Sequence, residues 1–165
     1  MMFRLAAVVL LLAATQARAE SPWSVLVGAG PALQHRVDYS PGDSYTLGAS
    51  ARLDVGYRVA APLALGAHLG VDLLREDDTT TVTHVPFELG VGAQVGLAER
   101  FLVAPWLGKL DLVDQRPLAI GTELAFDLSA RGPDRLSVLA SLLWAHRPSG
   151  DSWSSFSVGL AWRYW

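Results

Sequence analysis

One stretch of the sequence, residues 45–59, alternates strictly between apolar and polar side chains. Its odd positions carry Tyr, Leu, Ala, Ala, Leu, Val, Tyr and Val, and its even positions carry Thr, Gly, Ser, Arg, Asp, Gly and Arg. Alternation over this length predicts a β-strand with one apolar and one polar face. The apolar face has a tyrosine near each end and aliphatic residues between, which is typical of a strand that faces lipid.

Hydrophobic residues are distributed along the whole chain and are not concentrated in one long segment. Hydrophobic residues make up 51% of the chain and charged residues 18%, whereas an ordinary soluble domain has roughly 25% charged residues. After the first residues, no apolar run is long enough for a membrane-spanning helix. Together with 15 glycines, this favours a membrane β-barrel over a helical membrane protein. The absence of cysteine excludes disulfides and thiolate chemistry, and a net charge of -3 gives no reason to expect nucleic acid.

The first 19 residues have the pattern of a targeting segment. A basic start precedes an apolar core of about ten residues, and small residues follow at Ala17 and Ala19. The pattern predicts a secretory signal peptide over residues 1–19, cleaved before Glu20, and a single domain over residues 20–165. A membrane anchor is the alternative, although the core is about half as long as a spanning helix.

The remaining chain repeats the alternation in eight segments. The predicted strands are 23–37, 45–59, 63–75, 81–97, 101–113, 118–129, 135–146 and 153–165. Short connections alternate with longer polar ones, as periplasmic turns and external loops do in membrane barrels. The sequence therefore predicts an all-β protein, an eight-stranded antiparallel up-and-down transmembrane β-barrel. Pro31, Pro86 and Pro105 fall inside these strands, where bulges would be one remedy for the missing backbone donors.

Periodicity alone does not tell which face of the barrel is outside, so a soluble secreted barrel of lipocalin type is the alternative. Such a barrel would place many glycines on its solvent face, whereas inward glycines leave room for long charged side chains. The aromatic residues favour the membrane orientation, because they cluster near both strand ends. They are Trp23, Tyr57, Phe101, Phe126, Trp162 and Tyr164 at the periplasmic end, and Tyr45, Phe87, Trp144 and Trp153 at the external end. Trp106 falls mid-strand and fits neither group.

In this orientation the inward face carries charges of both signs. The predicted interior network consists of Arg36, Arg52, Arg58, Lys109, Arg163, Asp54, Asp72, Glu88, Asp111, Glu123 and Asp127. These groups should form hydrogen-bonded ion pairs, because an unpaired buried charge is costly. Since side chains normally fill an eight-stranded lumen, the network predicts a plugged barrel, with a gated ion or proton path as the alternative. Placing Lys109 and Asp111 inside also sets the phase of strand 101–113.

The C-terminus has the sequence Gly159-Leu160-Ala161-Trp162-Arg163-Tyr164-Trp165. It resembles the closing strand of bacterial outer-membrane barrels, in which Gly, two spacers, an aromatic, one spacer and a final aromatic recur. Gly159, Trp162 and Tyr164 match these positions, and Trp165 lies one residue beyond them. With the signal peptide and the strand count, the chain resembles small outer-membrane proteins of the OmpX and OmpA-barrel type over the whole mature region. The resemblance implies an outer-membrane location in a Gram-negative envelope and a last strand read by the barrel-assembly machinery, without the peptidoglycan-binding module of full-length OmpA proteins.

Catalysis is an alternative, because some small outer-membrane barrels are enzymes that modify lipid A, and the deacylases among them use a Ser, a His and an acid. The nearest candidates are His146 with Ser149, and His84, but they do not reproduce the His-x-Ser spacing of the deacylases. We therefore predict no catalytic residue and no cofactor. His68 and Asp72 stand four residues apart on one strand, roughly 13 Å, which is too far for a joint metal site. No metal site is predicted from the sequence.

A cation lies at or near the base of each predicted external loop. These residues are Arg36, Arg75, Arg116 and Arg147. Guanidinium groups bind phosphate bidentately, so contact with lipopolysaccharide is one hypothesis and generic rim arginines are the other. The function predicted from the sequence is a structural, envelope-integrity role in contact with outer-membrane lipid; no oligomeric state is predicted.

Overall fold

The computed structural model describes residues 22–37, 44–75, 83–111, 117–129, 132–146 and 152–165, and the predicted signal peptide lies outside these ranges. The described residues form eight barrel strands, one of them in two segments. They are β1 (Trp23–Val37), β2 (Ser44–Ala60), β3 (Leu63–Arg75), β4 (Thr83–His84 and Phe87–Ala98), β5 (Phe101–Asp111), β6 (Leu118–Asp127), β7 (Asp134–His146) and β8 (Ser152–Tyr164). Within these ranges there is no helix with the length and apolar character needed to cross a membrane.

The strands form one closed antiparallel sheet. Each strand pairs with its neighbours in sequence, and β1 also pairs with β8, so no edge strand remains among the described elements. Closure removes the unpaired backbone groups that an open sheet would expose. The predicted fold, an eight-stranded antiparallel up-and-down β-barrel, is confirmed. We call the end with connections 38–43, 76–82, 112–117 and 147–151 the loop end, and the opposite end the turn end.

The orientation of the two faces also agrees with the prediction. Leu47, Leu69 and Val91 are 73%, 46% and 70% exposed on the outside of the barrel, and Leu53 is half-buried among outer-face neighbours. The polar residues between them in sequence face the interior. A barrel with its aliphatic residues inside, as the lipocalin-type alternative requires, is therefore excluded.

The phase of β5 is opposite to the prediction. Trp106 and Leu110 are buried inside the barrel, whereas Lys109 is exposed on the outer face. Its cross-strand neighbours Leu89 and Leu118 are also exposed. The inward placement of Lys109 is therefore wrong. Near a strand end, a long lysine side chain can lie along an apolar surface while its ammonium group reaches a polar boundary.

The prolines interrupt the sheet on one side only. The pairing of β1 with β8 skips Pro31, and the pairing of β4 with β5 skips Pro105, while each keeps a partner on its other neighbouring strand. Pro86 lies between the two segments of β4, and its carbonyl accepts a hydrogen bond of 3.1 Å from the Asp72 backbone N–H. Because proline has no backbone N–H to donate, the strand pairing is interrupted over a few residues at each of these positions.

Glycines bring neighbouring strands together on the inner face. Gly56 stands directly opposite Gly66, and a Cβ atom added to Gly66 would lie 1.9 Å from the Val55 carbonyl oxygen. A side chain at Gly66 would therefore clash with backbone. The absence of side chains at such positions leaves interior volume for the charged residues of the same strands.

Two apolar clusters fill the interior above and below the charged residues. The cluster nearer the loop end consists of Trp106, Leu110, Ala119, Leu143, Ala145 and Trp153. The cluster nearer the turn end consists of Leu26, Leu102, Ala125, Leu139 and Ala161, with Trp165 packed against it. The placement of Trp153 in an external aromatic belt is therefore wrong, because this side chain is only 8% exposed and points inward.

Candidate functional site

A set of charged side chains fills the middle of the barrel. This central cluster consists of Arg52, Asp54, His68, Asp72, Glu88 and Glu123, each at most 5% exposed. Strand register brings them together: Asp54 lies opposite His68, and Arg52 lies opposite Gly70, which in turn lies opposite Glu88. Because Gly70 has no side chain, the Arg52 side chain can extend across β3 toward β4.

Arg52 joins two carboxylates in the centre of the barrel. Its Nη2 atom lies 2.8 Å from Asp72 Oδ1 and 2.9 Å from Glu88 Oε1. Its Nη1 atom donates hydrogen bonds of 3.1 and 3.2 Å to the carbonyls of Ala51 and Val71. The Ser155 hydroxyl donates to Asp72 Oδ2 at 3.4 Å. These contacts connect β2, β3, β4 and β8 across the interior.

His68 is surrounded by carboxylates. Its Nδ1 atom lies 2.8 Å from Asp54 Oδ1 and 3.7 Å from Glu123 Oε1, and its Nε2 atom lies 3.1 Å from Glu88 Oε2. The imidazole also stacks on Trp106, with ring centroids 4.1 Å apart and planes 8° apart. Both ring nitrogens therefore face acceptors, and a neutral imidazole can donate from only one of them.

Glu123 is bonded through one oxygen only. Trp106 Nε1 donates to Glu123 Oε1 at 3.2 Å, and the Ser141 hydroxyl donates to the same oxygen at 3.3 Å. Its second oxygen, Oε2, is buried and accepts no hydrogen bond within the described ranges, and the same is true of Asp54 Oδ2. Buried oxygens without donors are uncommon, because each forgoes the hydrogen bonds it would make in water.

A second, smaller set of charges lies toward the turn end. We call Asp127, Arg135, Ser137 and Arg163 the end cluster. The Asp127 carboxylate accepts from Arg135 Nη1 at 2.8 Å, from the Ser137 hydroxyl at 2.6 Å and from Arg163 Nη2. The Arg163 side chain is 2% exposed and that of Arg135 is 17% exposed. A single carboxylate is thus bound by two guanidinium groups.

The residues predicted for the interior network lie in several places. Arg52, Asp54, Asp72, Glu88 and Glu123 lie in the central cluster, and Asp127 and Arg163 in the end cluster. Arg58 is half-buried near the turn end, with its guanidinium carbon 5.9 and 5.5 Å from the ring centroids of Tyr164 and Trp165. Lys109 is outside the barrel, and the side chains of Arg36 and Asp111 are not among those described.

Sequence reasoning missed His68 and Trp106 as members of this site. It compared His68 only with Asp72 on the same strand, whereas the residues that contact the imidazole come from neighbouring strands. The turn at residues 61–62 pairs Ala60 with Leu63, and a one-residue bulge between Arg58 and Ala60 shifts the register so that Asp54 lies opposite His68. The length of the turn alone would have placed Asp54 opposite Leu69. The position of Trp106 away from either strand end was the available sign that it faces the interior.

The C-terminal aromatic residues lie on both faces of the wall. Trp162 and Tyr164 pack with Val25, Val27 and Leu53, which are outer-face residues, whereas Trp165 packs against the apolar cluster near the turn end. Trp165 therefore continues the alternation of β8, in which Ala161 and Arg163 also face inward. Gly159 lies close to the β1 backbone, since a Cβ added there would be 2.1 Å from the Ala29 carbonyl oxygen.

The other predicted sites lie mostly outside the described residues. His146 is exposed and stacks on Trp144, with centroids 5.7 Å apart. The remaining positions have no described side chain: Ser149, His84, Arg36, Arg75, Arg116 and Arg147.

Comparison with known proteins identifies the fold. No protein-family model matches this chain, and no curated protein matches it in sequence. Among solved structures, it is similar to Ail, the attachment invasion locus protein of Yersinia pestis, with a TM-score of 0.62 and 14% identity over 87% of this chain and 99% of Ail. The chain has the fold of the small outer-membrane β-barrels. This small barrel is also similar to Neisserial surface protein A, with a TM-score of 0.56 and 14% identity over 87% of this chain and 97% of that one.

A further structure of Ail, determined in a phospholipid bilayer nanodisc, matches the barrel with a TM-score of 0.55 and 13% identity over 87% of this chain and 100% of Ail. At these identities the similarity concerns the fold alone.

Proposed function

We propose that this protein is a non-catalytic outer-membrane barrel with a structural, envelope-integrity role and a lumen plugged by its own side chains. The outer surface supports a membrane location. Leu47, Leu89, Val91 and Ile120 are between 52% and 73% exposed on several strands. A continuous exposed apolar surface of this kind is unfavourable in water and suits lipid tails.

The packing of the interior is the main observation that supports a lumen plugged by side chains. The central cluster joins β2, β3, β4, β6 and β8 by hydrogen bonds and ion pairs, and an apolar cluster lies on either side of it. Side chains normally fill an eight-stranded barrel in this way. An ion would have to displace buried pairs such as Arg52–Glu88 in order to pass.

Conductance of the purified protein in planar lipid bilayers tests the plug. We expect no sizeable open-state current from the folded barrel. The same preparation unfolded by heat is the matched control, since it contains the same detergent and contaminants. Sizeable currents that require the folded form would reject the plugged lumen and favour the narrow channel.

The membrane location and the route to it require a separate test. We propose that residues 1–19 are removed as a signal peptide and that the barrel-assembly machinery reads the last strand through Gly159, Trp162, Tyr164 and Trp165. A folded barrel in the membrane fraction should migrate differently on gels before and after heating. Recovery of the protein in the soluble fraction would contradict this proposal, and removal of residues 162–165 should reduce membrane recovery.

The non-catalytic part of the proposal is tested on lipid A. His146 stacks on Trp144 at the surface, and no acid is among the contacts described for it. Overexpression should therefore leave the mass of lipid A unchanged. Loss or gain of an acyl chain would show that the barrel is an enzyme.

Contact with lipopolysaccharide is a further element of the proposal. Arg36, Arg75, Arg116 and Arg147 supply guanidinium groups suited to phosphate near the predicted loops. Added lipopolysaccharide should raise the thermal stability of the wild-type barrel and should raise that of the fourfold Arg→Gln variant less. An equal increase in both proteins would reject these residues as the contact.

A further inference from the structure

Three donor groups from three strands meet beside His68. One potential ligand atom each from Asp54, His68 and Glu123 lies within 4.8 Å of the others. His68 Nδ1 is the common point, 2.8 Å from Asp54 Oδ1 and 3.7 Å from Glu123 Oε1. All three residues are at least nine-tenths buried. The arrangement differs from a surface acidic cluster because it contains an imidazole nitrogen and is enclosed by the barrel wall.

Two oxygens of this group have no hydrogen-bond donor. Asp54 Oδ2 and Glu123 Oε2 are buried and accept no hydrogen bond within the described ranges. Glu123 Oε1 accepts from Trp106 and Ser141, whereas Asp54 Oδ1 lies 2.8 Å from His68 Nδ1, which carries no proton in a metal-binding tautomer. Asp72 Oδ1 and Glu88 Oε1 also accept no hydrogen bond, but both are ion-paired with Arg52. The carboxylates of Asp54 and Glu123 have no such guanidinium partner, and a cation between them and His68 would supply the missing charge.

Charge points to the same conclusion. Among the described side chains, the central cluster contains four carboxylates, one guanidinium group and one imidazole. Arg52 is paired with Asp72 and Glu88, which leaves Asp54 and Glu123 with His68 as their nearest basic group. Burying unbalanced negative charge is costly, so a cation on the Nδ1 side of the imidazole would be stabilised.

The surroundings of the imidazole suit metal ligation. His68 Nε2 lies 3.1 Å from Glu88 Oε2, so it can donate to a carboxylate while Nδ1 is left to face a cation. Metal-binding histidines almost always donate their second nitrogen in this way. A small cavity of about 10 Å³, lined in part by Asp54, Gly66, Gly92 and Gln94, adjoins the Asp54 side of the group. That volume is close to the minimum for one water molecule, which can complete a coordination shell.

From this geometry we infer that Asp54, His68 and Glu123 form a buried binding site for a divalent transition-metal ion of the Zn²⁺ type. One imidazole nitrogen and two carboxylate oxygens are ligands that Zn²⁺ accepts, whereas Ca²⁺ and Mg²⁺ prefer oxygen alone. The ion would join β2, β3 and β6 in the middle of the barrel. This inference concerns the interior and does not depend on the structural role proposed above.

Metal retention by the purified, folded barrel tests the site. The protein is stripped with EDTA, incubated with Zn²⁺, passed through a desalting column and assayed for metal by mass spectrometry. We expect the wild-type barrel to retain one Zn²⁺ per chain and to unfold at a higher temperature than the stripped protein. Mg²⁺ and Ca²⁺ at the same concentration should produce neither effect. A wild-type barrel that retains no Zn²⁺ would overturn the inference.

Two near-isosteric variants separate this site from other metal-binding groups. Glu123→Gln keeps an oxygen for Trp106 and Ser141 and should lose both the retained Zn²⁺ and the thermal shift. Asp72→Asn is the matched control, because Asp72 is equally buried but contacts Arg52 and Ser155; it should retain the metal. Retention by Glu123→Gln equal to that of the wild type would overturn the inference, since the metal would then be bound elsewhere, for example by exposed His146.

A spectroscopic readout remains if Glu123→Gln does not fold. Co²⁺ replaces Zn²⁺ in sites of low coordination number and then absorbs visible light strongly. The Co²⁺-loaded wild-type barrel should show these bands, and addition of excess Zn²⁺ should abolish them. A spectrum identical to that of aqueous Co²⁺ would overturn the inference.

Discussion

The central cluster and the end cluster both combine acidic and basic side chains, but the excess charge has the opposite sign in the two clusters. Carboxylates are in excess in the central cluster, and guanidinium groups are in excess in the end cluster. In the central cluster, four carboxylates share one guanidinium group and one imidazole, whereas in the end cluster Asp127 alone is bound by Arg135 and Arg163. The difference matters because both clusters are buried, where an unbalanced charge is costly. The comparison shows that alternation places charges inside a barrel without ensuring that they balance locally.

Exposure explains how the end cluster tolerates an excess of cations. Its Arg135 side chain is 17% exposed and can keep part of its hydration, while Arg163 is 2% exposed. None of the described members of the central cluster can keep comparable hydration, because each is at most 5% exposed. Its excess charge must therefore be balanced inside the barrel.

The largest effect is expected from Arg52→Met. The variant leaves Asp72 and Glu88 without their guanidinium partner, and removing one member of a buried ion pair costs about 3–5 kcal/mol. Urea unfolding in lipid vesicles, followed by the change in gel mobility, measures the loss. Arg58→Met is the control, since Arg58 is only half-buried near the turn end. Equal losses in both variants would reject Arg52 as the principal cation of the central cluster.

A smaller loss is expected from Asp127→Asn. The variant leaves two guanidinium groups without their shared carboxylate, but Arg135 can turn toward water, so we expect a loss of about 2–3 kcal/mol. The same unfolding assay applies. Arg163→Gln should cost more than Arg135→Gln because Arg163 is the more deeply buried. The reverse order would show that exposure does not explain the tolerance of the end cluster.

Glu123→Gln tests the comparison most directly. In the presence of chelator we expect its stability to lie within about 1 kcal/mol of the wild type or above it, because the amide retains an acceptor and one of four mutually repelling charges is removed. The decisive quantity is the difference between the stability changes that Glu123→Gln and Asp127→Asn cause in the same assay. A loss as large as that of Asp127→Asn would mean that the carboxylates of the central cluster are not in excess.

The smallest effect is expected from Lys109→Met on the outer face. A lysine near the edge of a lipid-facing surface is unfavourable by about 0–1 kcal/mol, so the variant should be equally stable or slightly more stable in vesicles. A loss above that range would indicate that Lys109 contributes a favourable contact, contrary to its exposed position.

The sequence predicted the fold because β2, β3 and much of β4 alternate without ambiguity. The phase of β5 could not be predicted in the same way, because apolar residues occupy both of its faces and its charges lie at one end. The prediction places Lys109 inside because a charge avoids lipid, yet its exposed position near the strand end lets the ammonium group reach a polar boundary. In that strand the bulk of Trp106 was the better guide.

The candidate site was only partly predictable for a different reason. Alternation assigned Asp54, Asp72, Glu88 and Glu123 to the inner face, but it carries no information about which strands face one another. Contacts such as the one between His68 and Asp54 depend on register, which the turn at residues 61–62 and the bulge between Arg58 and Ala60 set together. The contact between His68 and Glu123 depends on closure of the whole barrel, which no local pattern contains.

The stacking of His68 on Trp106 provides the barrel with an intrinsic optical probe. Trp23 and Trp144 are about half exposed on the outer face, at 49% and 52%, whereas Trp106 is 3% exposed and lies against the imidazole. Brominated acyl chains should therefore quench the fluorescence of the outer tryptophans and spare that of Trp106. Trp153 and Trp165 also face inward, so in a variant that lacks these two indoles the unquenched light would come from Trp106. It would report on any event at the neighbouring ring, in the intact membrane and without an added dye.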